Sequence, residues 1–199
     1  MLKLSYPVDS PIISQVFGAN PQFYSDPKFG GIKGHNGIDF MAQHGYPIYA
    51  THDGLASYQI DGGGGHGVIV ITDKDFDGIY YKTIYWHMVD GLKEPKFKSP
   101  LQGKTGFTPV KNGELIGYAD NTGASTGDHL HFGLKPVAKG EDWGTWMNLE
   151  QNNGYAGAID PQPFFDGSTP ARIHILEKQI GILKQLVSLY QQLKTKLGK

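Results

Sequence analysis

Three short stretches carry side chains whose types and spacing suit metal binding or proton transfer. In Gly34-His35-Asn36-Gly37-Ile38-Asp39-Phe40, three residues separate a histidine from an aspartate. A fully extended strand would hold the two about 13 Å apart, too far to share one ion, and the flanking glycines oppose a helix. A bend at the glycines is needed, with Asp39 entering a strand between apolar Ile38 and Phe40. Taken alone, the pair fits surface residues beside a turn equally well. In His129-Leu130-His131-Phe132, strand alternation places both imidazoles on one face and Leu130 and Phe132 on the other. Imidazoles roughly 7 Å apart can meet one zinc ion and its water; the rival is a packed pair that needs hydrogen-bond partners. A further histidine, His87, ends the aromatic run Tyr85-Trp86. The chain has no cysteine, so thiolate sites, disulfides and a Cys nucleophile are excluded, and any metal must be held by His and carboxylate groups.

The elements that must position these groups read as β structure. The runs Tyr46 to Ala50, Gly67 to Thr72, Ile79 to Trp86, Glu114 to Ala119 and His129 to Leu134 are rich in β-branched and aromatic residues. Turn signals such as Asp53-Gly54, Asp77-Gly78 and Asn112-Gly113 separate them, which predicts a mainly β fold with an antiparallel sheet core. Two stretches lack periodicity: Met88 to Gly113, with five lysines, and Pro136 to Pro163, with Trp143 and Trp146. Long loops of this kind are expected to wall a groove, here residues 19 to 33, 88 to 108 and 136 to 158. The 28 glycines match such a turn-rich chain, and 39% hydrophobic residues supply one sizeable core.

At Pro170 the character changes. Ser168-Thr169-Pro170 offers a capping hydroxyl and Pro at the first helical position, and Gly198 is a stop signal. Apolar residues at Ile173, Leu176, Ile180, Leu183, Val187, Tyr190 and Leu197 make an amphipathic stripe broken at Lys194. The expected division is a domain over residues 1–169 and a C-terminal α-helix over 170–199. The tail carries +5 and the body −6, within a net charge of −1. That gives no overall basic field for nucleic acid. The helix is expected to pack on the body, to self-associate, or to contact an anionic envelope surface. No stretch suits a transmembrane segment, and Met1 to Pro7 lacks the apolar region of a secretory signal, so no signal peptide is expected in this chain.

Together these stretches resemble the lysostaphin-type (LytM-like) zinc endopeptidases of bacterial cell-wall metabolism. The resemblance runs through Phe17-Gly18, the His35/Asp39 box, Gly45 to Ala50, Asp53-Gly54, Tyr85 to Met88, Val110 to Gly117 and Asn121 to Gly133, in the family's order. It implies one Zn2+ per chain held by His35, Asp39 and His131, with His87 and His129 as the catalytic pair. Strand alternation does not decide which of His129 and His131 is the ligand; the family assigns the second. The implied substrate is the peptide part of peptidoglycan, cut in cross-links or stem peptides outside the cytoplasm by metal-activated water. The alternatives are a non-catalytic wall-binding or hydrolase-activating module and a virion-associated structural component. The chain departs from the family at Gly133, where an acidic residue often follows the Phe, and at His66, expected at a hairpin tip. His44, His52 and His174 carry no spacing signal and are expected to be surface or partly packed residues.

Overall fold

The computed structural model describes residues 1–140 and 146–197. Trp143 and Gly198, singled out in the sequence, lie outside the described residues. The chain forms β1 (Ile13–Gln15), a short helix α1 (Pro21–Tyr24), β2 (Ile38–Met41), β3 (Pro47–Tyr49), β4 (Gly54–Asp61) and β5 (Gly65–Thr72). There follow β6 (Tyr80–Met88), β7 (Thr108–Val110), β8 (Leu115–Tyr118), β9 (His129–Lys139), β10 (Trp146–Asn148) and the long helix α2 (Pro170–Lys196). One sheet runs in the order β1-β2-β9-β6-β5-β4-β7 with β10 beside β9, and β3 pairs with β8 in a separate ribbon. Every one of these pairings is antiparallel. The mainly β fold expected from the turn signals is the fold observed.

Alternation along β9 separates two environments. Leu130, Phe132 and Leu134 are fully buried in a core shared with Leu4, Ile38, Phe40, Ile48, Val70, Tyr85 and Ile116. The intervening residues of β9 face a groove. Aromatic contacts tie this core together: Phe132 packs edge-on against Tyr85 at 5.2 Å and Phe165 lies 5.6 Å from Phe132, which anchors the chain's return before α2. Near one end of the core, the Tyr85 hydroxyl accepts from the Thr51 amide, and the buried His52 ring bridges the Asp53 carbonyl and the Thr83 hydroxyl.

Several elements differ from the sequence reading. β9 continues to Lys139, beyond Pro136, and β10 lies within the second stretch read as irregular. In the first, Val89, Ser99, Leu101 and Gln102 are buried anchors of an otherwise largely exposed segment, and none of residues 88–108 lines the groove, contrary to the expected wall. The helix begins at Pro170 as expected, but Thr169 makes no side-chain cap; the Ala171 amide donates instead to Asp9 Oδ1 at 2.7 Å. Among the described residues the first turns of α2 touch the body, where the His174 ring meets the Gly113 carbonyl and Tyr49. Beyond them Leu176, Leu183, Val187, Tyr190 and Leu193 stay exposed, so the expected packing of the whole stripe on the body does not occur.

Candidate active site

β2 and β9 bring the first two sequence stretches together. Their register places Asp39 directly opposite His131, and the turn before β2 folds His35 back over both. His35 Nε2 lies 2.8 Å from His131 Nδ1, and each of these nitrogens lies 3.1 Å from Asp39 Oδ1. The bend inferred at the glycines is real and tightly constrained. A Cβ on Gly37 would stand 2.5 Å from the Phe132 carbonyl and 2.7 Å from the His131 ring, and one on Gly34 would stand 2.5 Å from the Gly18 carbonyl. His35 Nδ1–H donates to the Val16 carbonyl at 3.2 Å, which leaves Nε2 with a lone pair aimed at the cluster.

The electrostatics suit a cation. Burial alone would raise the Asp39 carboxyl, but the His131 and His35 rings beside it outweigh burial and hold Asp39 well below the usual carboxylate range. Burial pushes the His131 ring down, against the pull of Asp39, which favours a neutral imidazole. Two imidazoles and one carboxylate with converging donor atoms could hold a metal ion, and three such ligands suit zinc with a coordination position left open.

His87 and His129 stand beside this cluster, their rings 4.6 Å apart. His129 Nδ1–H donates to the Gly127 carbonyl at 2.8 Å, and its Nε2 lies 3.7 Å from Asp39 Oδ1. His87 Nδ1–H donates to the Thr122 carbonyl at 2.7 Å. Burial, opposed by that carbonyl, pushes His87 down to about 4. The position of His87 depends on a β-bulge. Between the pairs Val68↔Tyr85 and His66↔Met88, β6 holds one residue more than β5, and His87 takes a left-handed φ of 62°. Trp86 and His87 can therefore both line the groove while Met88 returns to the core.

The five sequence-derived residues thus line one groove of about 600 Å³. Sequence reasoning missed Tyr24 and Gln15, which complete a wall. The Tyr24 ring stacks on His35 at 5.4 Å, its hydroxyl accepts from Gln15 Nε2, and burial raises it. Two glycines here have a steric reason, since a Cβ on Gly64 or Gly67 would overlap the Trp86 indole. His66 is not at the hairpin tip: it lies in β5, bonded to the Tyr58 hydroxyl. His52 is buried, where a surface or partly packed residue was expected, whereas His44 lies on the surface between Asp120 and Glu94.

Residues 33–143 match the model of peptidase family M23, a span that covers more than half of the chain. The chain belongs to peptidase family M23. Among named M23-type relatives, the peptidoglycan DD-endopeptidase ShyB of Vibrio cholerae is 34% identical over 64% of this chain and 26% of its own length. The crystal structure of a zinc-containing peptidase from Vibrio cholerae superposes with a TM-score of 0.50 at 31% identity, over 67% of this chain and 36% of that one. The antimicrobial peptidase lysostaphin from Staphylococcus simulans shares the fold, with a TM-score of 0.52 at 22% identity, over 82% of this chain and 53% of that one. The chain spans 19 to 26% of the length of the first curated relatives it matches.

Proposed function

We propose that this M23 domain is a zinc-dependent endopeptidase that hydrolyses peptide bonds in peptidoglycan cross-links or stem peptides, outside the cytoplasm. The observation that carries the reading is the convergence of His35 Nε2, Asp39 Oδ1 and His131 Nδ1 within 3.1 Å of one another, with two further imidazoles alongside. His35, Asp39 and His131 are the ligands of one zinc ion per chain. Zinc held there supplies Lewis acidity, which lowers the pKa of a water from near 16 to about 7 and polarises a peptide carbonyl.

The rest of the chemistry belongs to the chain. Because His87 and His129 each give Nδ1–H to a backbone carbonyl, Nε2 is the nitrogen each ring has left to accept a proton. One Nε2 takes the proton of the attacking water and returns it to the departing amine nitrogen; the other ring stabilises charge growing on the carbonyl oxygen when it also carries a proton at Nε2 and donates from there. The Tyr24 and Trp86 rings give the groove apolar walls on which a substrate backbone can lie. Residues 1–169 form the peptidase unit, and residues 170–199 form an appended helix whose exposed stripe self-associates or meets the cell envelope.

The test is metal analysis of the purified chain, together with mass spectrometry of what it releases from purified cell wall. One zinc per chain and new peptide termini are expected. Stoichiometric zinc without any cleaved peptide bond, on walls of several cross-bridge types, would remove the enzyme reading.

A further inference from the structure

We propose that Lys82 and Lys135 form a subsite at one end of the groove for a free carboxylate of the substrate peptide, set back from the bond that is cut. The inference deepens the peptidase reading and rests on it.

β9 presents His129, His131, Gly133 and Lys135 in turn on the side opposite its buried leucines and Phe132. On β6, Trp86 pairs with His131, Ile84 with Gly133, and Lys82 with Lys135. The floor therefore runs from the ligand cluster across Gly133 and Ile84, which bear no charge, to Lys135 at its end, and Lys82 faces Lys135 across the strands just outside that lining. Like charges directly opposite in an antiparallel pair repel. Among the described residues neither ammonium has a carboxylate within ion-pair distance. Lys135 Nζ donates to the Ala156 carbonyl at 2.6 Å, which uses one of its three donors. Burial, and after it the charge of Lys82, pushes Lys135 down to about 8; burial also lowers Lys82. A carboxylate docked between them would relieve both effects and fill the free donors.

Position specifies which carboxylate. Lys135 lies four residues beyond His131 on one strand, about 13 Å at the rise of a β-strand. A peptide extended along the floor advances at a similar rate, so the carboxylate belongs to a residue about three or four places from the scissile bond. A terminal carboxylate on the residue being released would lie too close to the cluster. Within a peptidoglycan stem, short of its terminal carboxylate, the free carboxylates are those of the γ-linked glutamate and of a diamino acid that carries a second carboxyl, and amidation removes either one.

The experiment compares stem peptides that differ only by amidation at the glutamate or at the diamino acid. Binding of uncross-linked peptides to the zinc-loaded chain is read by calorimetry, and kcat and KM are read on the cross-linked forms. Amidation at one of the two positions should weaken binding about tenfold and raise KM with little change in kcat, and that position names the source. Lys135→Met and Lys82→Met should both abolish the acid-over-amide preference, while Lys135→Arg keeps it. Lys82→Met controls for loss of the Ala156 bond, which Lys82 does not make. Equal binding of acid and amide forms, or a preference that survives both Met variants, overturns the subsite. An acid preference in binding with no cleavage of any cross-linked peptide would instead overturn the peptidase reading.

Discussion

His87 holds its ring 4.6 Å from that of His129 only because its backbone adopts a left-handed φ of 62° at the bulge in β6. For a residue with a Cβ this conformation costs about 1–2 kcal/mol, and it persists where the surroundings over-determine it. His87→Ala keeps the strain and loses the imidazole, whereas His87→Gly loses both. Both variants should keep zinc and fall about 10²–10⁴-fold in turnover. Thermal unfolding should find His87→Gly the more stable of the two, by roughly 1 kcal/mol. Equal stability would mean that the bulge stores no strain.

Part of this site was legible in the residues and part was not. Alternation in His129-Leu130-His131-Phe132 fixed which face each side chain takes, and the glycines around His35 pointed to a bend, because nothing larger fits beside Gly18 or the His131 ring. His131 meets Asp39 through the β2–β9 register, a long-range property that no local pattern encodes. His87 breaks alternation at a bulge, so period-two reasoning would have turned it toward the core. Residues 88–108 read as an open loop because their buried side chains, Val89, Ser99, Leu101 and Gln102, follow no period. Tyr24 sits on a four-residue helix too short to leave a signal.

Gly37 supports His131 by having no side chain. Gly37→Ala should push the Phe132 carbonyl or the His131 ring out of place, since the new Cβ would sit 2.5 Å and 2.7 Å from them. Zinc affinity, measured by competition with a chelator, should fall well beyond any change in melting temperature. A variant with unaltered affinity would show that His131 does not need this contact.

His52 should make the metal-free chain sensitive to mild acid. Burial lowers its pKa from the ordinary 6.5, so the unfolded chain binds more protons than the folded one below that value. Its contribution to stability is complete above pH 6.5 and is lost as pH falls from there through the lowered folded-state value. Melting temperatures at pH 7.5 and 5.5 should therefore drop less for His52→Gln than for the parent, although His87 and His131, also lowered, add to the parent's slope. An identical drop in both proteins would show that His52 does not contribute.

Removal of residues 170–199 should leave zinc content and hydrolysis of a short soluble peptide nearly unchanged. Among the described residues the tail meets the body through its first turns, with buried Pro170, the bond from Ala171 to Asp9, the His174 bond to Gly113 and the ring contact with Tyr49. Mass in solution, or retention on envelope material, should change, because an exposed apolar stripe is lost. A truncated chain that no longer binds zinc would contradict the division at Pro170.

The assignment of ligand against catalyst is tested most directly by zinc stoichiometry measured beside turnover for His131→Ala and His129→Ala. His131→Ala should lose both metal and activity, because Asp39 and His35 alone remain of the converging set. His129→Ala should retain close to one zinc per chain and lose turnover by about 10²–10⁴-fold. Zinc lost from His129→Ala and kept by His131→Ala would contradict the account.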